Sequence, residues 1–204
     1  MPPIVGLIIA YLLGGIPAAY VAGKLARGID LRQHGSGNLG ATNVYRVLGA
    51  KIAAVVMAFD IAKGVVPVLL LPQWTASVLP SHWAMAYGLA AIAGHVRSPW
   101  MLWRAGGKGV ATAAGVFLAL APIPTLIASA VWGVVLYLSG FVSLASLAAA
   151  ITLPVAIGLL LGPRAPVFAL SALVCVFVFW THRANIGRLR RGEEQRVLRK
   201  RSAA

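Results

Sequence analysis

Of the 204 residues, 60% are hydrophobic and only 11% charged, and the formal net charge is +14. Soluble domains carry about 25% charged residues, so a soluble globular fold is excluded and lipid is the expected solvent. The basic residues cluster at Lys24–Lys51, at Arg97–Lys108 and from Arg183 onward, beside apolar runs. That placement suits cytoplasmic anchors that attract anionic lipid headgroups and argues against a nucleic-acid surface.

In chain order, Met1-Pro2-Pro3 puts no side-chain charge ahead of the first apolar stretch, whereas a signal peptide needs a basic start. We therefore expect a retained first span over Ile4–Val21 with the N-terminus outside. Further spans are expected at Ile52–Leu71, Val142–Leu161 and Pro166–Trp180, each near the length that crosses a bilayer. Another runs over Trp83–His95 and could extend through Pro99 to Trp103. Val110–Leu138 is apolar but holds Pro122 and Pro124, so one kinked helix or two short ones would fit.

Charge chooses between them. The Arg27–Lys51 loop and the tail from Arg183 are both basic and should both be cytoplasmic, which requires an even number of crossings between them. Splitting Val110–Leu138 at its prolines supplies it. The fold expected is all-α: a polytopic integral membrane bundle of seven transmembrane helices, N-terminus outside and C-terminus cytoplasmic. All eighteen Lys and Arg except Lys63 and Arg164 then lie inside. A membrane domain would cover 1–182, with cytoplasmic loops at 27–50 and 96–109, followed by a basic tail at 183–204. The single cysteine, Cys175, lies in an apolar run and reads as a packing residue.

Three polar segments interrupt the apolar pattern, all on the expected cytoplasmic side: Gly35–Arg46, Ala105–Thr112 and Thr181–Glu194. The first is glycine-rich and turns helix-friendly at Ala41. Its glycines permit positive φ and an anion-binding concavity of backbone N–H groups, Ser36 and Asn38 add donors, and Arg46 adds a fork suited to phosphate. The bland alternative is a flexible loop with a basic flank. The second sets Lys108 among Gly106, Gly107 and Gly109 ahead of a helix expected from Val110, a ready phosphate site. It is not a Walker A loop, because Gly109 follows the lysine where Ser or Thr is needed. In the third, His182 and Asn185 share a helix face, and Arg188, Arg190, Arg191, Arg196, Arg199, Lys200 and Arg201 read as a membrane-surface patch. Asp60 and Lys63, at i and i+3 inside a span, either neutralise each other or serve function. The four carboxylates, Asp30, Asp60, Glu193 and Glu194, form no metal-binding spacing, so no metal or cofactor is expected.

GSGNLGATNVYRVLG, GH followed by GGKGVAT, VSLAS and HRANIGRLRRGEE, with DIAKG at Asp60–Gly64, together closely resemble the bacterial acyl-phosphate-dependent glycerol-3-phosphate acyltransferase family. The likeness runs in order from Tyr11 to Glu194. One departure lies after His95, where Pro99 stands four residues on rather than three and Trp103-Arg104-Ala105 precede the glycines.

The resemblance implies a bacterial inner-membrane enzyme that moves a fatty acyl group from acyl phosphate to the sn-1 hydroxyl of glycerol 3-phosphate. The product would be lysophosphatidic acid, the first acylated intermediate of phospholipid synthesis. Both substrates are phosphate-bearing partners, the third is a bilayer with anionic lipids, and neither nucleic acid nor an obligate protein partner is expected. Ser36, Arg46, His182 and Asn185 are the expected catalytic groups. Gly35, Gly37, Asn38, Gly40, Thr42, Asn43, Gly106, Gly107, Lys108 and Gly109 are expected to bind substrate, with Ser143 or Ser146 adding a donor. Asp60, Lys63 and Glu193 are expected to be structural, Glu193 pairing with a tail arginine. His182 could be a general base or only a phosphate ligand, and the role of His95 stays open. A transporter of a phosphorylated metabolite is the rival reading, disfavoured because the polar motifs all fall on one side.

Overall fold

The computed structural model describes residues 1–76, 79–104 and 106–197. Ala105, Arg199, Lys200 and Arg201, and part of the loop between the second and third expected spans, lie outside them. The described residues form ten α-helices and no strand. They fall into two compact units, Met1–Leu120 and Ala121 onward.

The first unit holds α1 (Pro3–Gly15), α2 (Ala18–Arg27), α3 (Ala41–Leu48), α4 (Ala50–Leu70), α5 (Pro80–Val96) and α6 (Val110–Leu120). Small residues let its helices approach closely. A methyl group on Gly14 would overlap the Ala91 carbonyl, and one on Gly94 the Tyr11 carbonyl, so α1 and α5 touch backbone to backbone. Gly64 of α4 against the Thr112 carbonyl and Gly115 of α6 against that of Ile61 make a second such crossing. In lipid the helices gain no hydrophobic drive toward one another, so this dispersion contact is what joins them.

The expected span Ile4–Val21 is not one straight helix. It breaks between Gly15 and Ala18, because Pro17 lacks an N–H and its ring crowds the preceding turn. Ile16 N–H turns to the Leu13 carbonyl at 3.2 Å, which leaves carbonyls at the end of α1 to be satisfied from elsewhere. Trp100 Nε1 donates to Leu12 O at 2.9 Å, Ser98 Oγ to Gly15 O at 2.6 Å and Lys63 Nζ to Ile16 O at 3.0 Å. Helix α5 ends at Val96, so the chain does not continue as helix through Pro99; Pro99–Met101 is a single 3₁₀ turn.

The second unit holds α7 (Pro122–Ser139), α8 (Val142–Leu160), α9 (Pro166–Thr181) and α10 (Arg183–Arg190), with α8 packed on α7 and α9. The proline-rich stretch divides as the sequence suggests, α6 ending at Leu120 and α7 starting at Pro122. After α10 the chain folds back, Val197 N–H donating to Gly140 O at 2.8 Å and the Arg196 guanidinium lying 5.1 Å from the Phe141 ring.

By length and apolar composition, four helical stretches among the described residues can cross a membrane: Pro3–Arg27 as α1 with α2, Ala50–Trp74, Pro122–Ser139 and Val142–Leu160. Helix α9 with α10, bent by 59°, makes a fifth if taken as one span, and α6 is apolar but shorter.

Candidate functional site

In the first unit the glycine-rich segment leads into α3, which starts at Ala41 as its sequence suggests. The turn before it takes left-handed backbone at Gly35 (φ 62°) and Gly37 (φ 70°), which a side chain would strain. Asn43, 1% exposed, shapes this turn. Its Nδ2 donates to the carbonyls of Leu31 (3.3 Å) and His34 (3.0 Å), and its Oδ1 accepts the Ser36 N–H at 2.8 Å. Asn43 was expected to bind substrate; its amide engages the loop and fixes the Ser36 N–H. Ser36 is exposed, and Thr42 and Arg46 are half-buried on α3. Upstream, Arg32 bonds both oxygens of Asp30 and holds that carboxyl down at about 2.

Asn38 was also expected among the ligand donors. Its Nδ2 donates to the Gly106 carbonyl at 3.3 Å, so it ties the first motif to the second. There, Gly107 N–H bonds the His95 carbonyl at 3.3 Å, and a methyl group on Gly106 would overlap that same carbonyl. Gly106 and Gly107 therefore owe their small size to the end of α5. Gly109 (φ 84°) turns the chain into α6, whose first N–H groups follow Lys108 directly. Lys108 is half-buried there, and a helix start with a lysine is chemistry suited to an anion by dipole and donors alike.

Asp60 and Lys63 of α4 form an ion pair at 2.8 Å with side chains 3% and 5% exposed. His95 Nδ1 lies 3.6 Å from Asp60 Oδ1. This trio is buried, and Lys63 also caps α1 through Ile16.

In the second unit His182 sits at the bend between α9 and α10, not within one straight helix with Asn185. Both side chains are buried. His182 Nδ1 lies 2.8 Å from the Val178 carbonyl. A carbonyl can only accept, so Nδ1 carries the proton and Nε2 is the ring's basic nitrogen.

Asn185 Nδ2, Ser143 Oγ and Arg188 Nε all donate to Glu194, at 2.5, 2.7 and 2.6 Å. Burial alone would push the Glu194 pKa up, but these three bonds outweigh it and hold the carboxyl below the ordinary glutamate range. Sequence reasoning missed Glu194 and gave the ordering role to its neighbour. Glu193 pairs with Arg191 at 2.8 Å, but both side chains are more than half exposed. Between the two serines, Ser146 donates to Val142 O (2.8 Å) and accepts from Trp132 Nε1 (3.3 Å), so its hydroxyl is engaged within the bundle. Arg188, Arg191 and Arg196, expected as a membrane-surface patch, are held by Glu194, Glu193 and Phe141.

Residues 4–192 match the sequence profile described as glycerol-3-phosphate acyltransferase. The chain belongs to the glycerol-3-phosphate acyltransferase family. Among similar members, the glycerol-3-phosphate acyltransferase of Geotalea daltonii is 42% identical over 191 residues, covering 94% of this chain and 95% of the relative. That of Myxococcus xanthus is 45% identical over 192 residues, covering 93% and 97%. Crystal structures of PlsY (YgiH), an integral membrane glycerol 3-phosphate acyltransferase, share the fold. Its glycerol 3-phosphate form has a TM-score of 0.84 at 35% identity, covering 96% of each chain, and its lysophosphatidic acid form 0.83 at 37%.

Proposed function

We propose that this chain transfers a fatty acyl group from acyl phosphate to the sn-1 hydroxyl of glycerol 3-phosphate, giving lysophosphatidic acid and inorganic phosphate. The observation that carries this reading is the joining of two donor-rich motifs. The Ser36 turn and the Lys108 loop are tied by Asn38 at the start of α6, a place made for a phosphate beside an apolar bundle. Crystallised PlsY forms named for glycerol 3-phosphate and lysophosphatidic acid support the substrate and product. The distribution of basic residues supports seven crossings, an outside N-terminus and chemistry at the cytoplasmic face of a bacterial inner membrane.

Acyl phosphate is a mixed anhydride, so no covalent enzyme intermediate is needed. The glycerol hydroxyl oxygen attacks the acyl carbonyl carbon, the carbon–oxygen bond to phosphate breaks, and the electron pair leaves on phosphate. The protein's task is to hold two anions and offset their repulsion. In the first unit, Lys108 with the backbone of Gly106, Gly107 and Gly109 takes glycerol 3-phosphate, aided by Arg46. Ser36 and the Gly35–Gly40 turn take the acyl phosphate headgroup. In the second unit, His182 is oriented by Val178 with Nε2 as its basic nitrogen, which suits it to accept the hydroxyl proton. Asn185 and Ser143 are held by Glu194.

Purified protein supplied with acyl phosphate and radiolabelled glycerol 3-phosphate should form labelled lysophosphatidic acid, and acyl-coenzyme A should serve poorly. Absence of lipid product would end the reading. Ser36→Ala and Arg46→Ala should each lose most activity while remaining folded, and a His182→Gln enzyme with near-full turnover would eliminate the base role.

A further inference from the structure

Asp60, Lys63 and His95 take no part in the chemistry above, yet they place three ionisable groups in the interior of the first unit. Replacing a buried ion pair with apolar residues is often neutral or stabilising, so stability alone does not account for them. Their position does. The His95 ring lies under the second motif: a methyl group on Gly107 would overlap His95 Nε2, and Gly107 N–H bonds the His95 carbonyl at 3.3 Å. The ring's other nitrogen faces Asp60 Oδ1 at 3.6 Å, and Nδ1 has no hydrogen-bond partner among the described residues. Lys63 neutralises Asp60 at 2.8 Å and is itself fixed to the Ile16 carbonyl at 3.0 Å. A cavity of about 10 Å³, room for roughly one water molecule, is lined by Lys63, His95, Ser98, Gly106 and Gly107.

We infer that His95, seated on the Asp60–Lys63 pair, is a positioning residue whose ring sets the height of the Gly106–Gly107 backbone and so aims Lys108 and the first N–H groups of α6. This rests on the reading that the Lys108 loop holds glycerol 3-phosphate. A flat ring suits the place, because Gly107 lies on it while Gly106 lies on the His95 backbone carbonyl, which leaves the loop little freedom to sample other shapes. The loop is thereby ordered before substrate arrives, and the ordering entropy is not drawn from binding.

The test is steady-state kinetics of the purified full-length protein with each substrate varied in turn. His95→Ala should raise KM for glycerol 3-phosphate about tenfold, since small misplacements of a binding group have effects of this order or larger. KM for acyl phosphate should stay unchanged. Gly107→Ala should raise the same KM at least as much, by driving a methyl group into the ring. The double variant His95→Ala/Gly107→Ala should show a lower KM than Gly107→Ala alone, because removing the ring makes room. A merely structural role would not produce that rescue. His95→Asn keeps a polar group toward Asp60 but not the ring atoms under Gly107; it should fold and show the same raised KM, which covers the case in which His95→Ala does not fold. Effects that multiply in the double variant, or His95 variants that shift both KM values equally, would overturn the inference. Lys108→Ala separates the two ideas. An unchanged KM for glycerol 3-phosphate there refutes the loop assignment, whereas a raised KM in Lys108→Ala with no change in His95→Asn refutes the positioning.

Discussion

Replacing Glu194 with alanine removes the acceptor of three hydrogen bonds at once. Two of the donors, Ser143 and Asn185, are buried, so each lost bond to the carboxylate costs about 1–3 kcal/mol. Arg188 is 39% exposed and can turn to solvent, so its share is discounted to under about 1 kcal/mol. The sum is about 2–7 kcal/mol, which for a chain of this size lowers the melting temperature by roughly 5–25 °C. Tryptophan fluorescence on heating the detergent-solubilised protein reads this directly. Glu194→Gln keeps an acceptor and loses the charge, so it should fall between wild type and alanine. Glu193→Ala breaks only an exposed pair and should shift the melt by no more than about 2 °C. Acid sensitivity gives a second readout. The folded-state pKa of Glu194 is lowered, so its contribution is complete above the ordinary glutamate range and is lost as pH falls through the lowered value. Wild type should therefore lose stability on acidification in that window, and Glu194→Gln should lose less. An alanine variant that melts with wild type, or a Glu193 variant that melts lower than the Glu194 one, would refute the reasoning.

Gly64→Ala and Gly115→Ala each place a methyl group on a backbone carbonyl of the facing helix, which cannot swing aside as a side chain can; each should destabilise by about 3 kcal/mol in the same melt. Asn43→Ala removes the acceptor of the Ser36 N–H and the side-chain donor shared by Leu31 O and His34 O, so acyl transfer should fall at least about tenfold while far-ultraviolet circular dichroism stays unchanged. Ser98→Ala uncaps Gly15 O and should cost about 1–3 kcal/mol of thermal stability without altering KM for acyl phosphate.

The helices themselves were legible. Apolar length placed α4, α8 and α9 to within a few residues, the turn to helix at Ala41 and Val110 was visible in the glycines before them, and Pro122 marked the division of α6 from α7. The break at Pro17 was not, because membrane helices often run through proline when neighbours take up the freed carbonyls. Here the neighbours, Lys63, Ser98 and Trp100, lie at least 47 residues away. Glu193 and Glu194 could not be told apart by composition. The choice is made by the left-handed Gly192 (φ 71°), which turns the chain after α10. The loop contacts of Asn38 and Asn43 were not legible, because an amide that suits phosphate suits a peptide carbonyl equally well. The sequence offered Ser36, Arg46, Lys108, His182 and Asn185 as candidates for chemistry because hydroxyl, charge, ring nitrogen and amide are visible in composition. The ones legible only in three dimensions are those that hold them.

The bend at Ile16–Pro17 also bears on how the chain is made. As the nascent polypeptide leaves the ribosome, the carbonyl of Ile16 at once accepts the Ala18 N–H at 3.0 Å, but those of Gly15 and Leu12 wait for Ser98 and Trp100, 83 and 88 residues on. An unpaired carbonyl in hydrocarbon costs several kcal/mol, so during that interval the first segment must keep its bend against water or against the insertion machinery. A chain released before residue 100 would carry that defect permanently, and it is the form that membrane proteases should remove first.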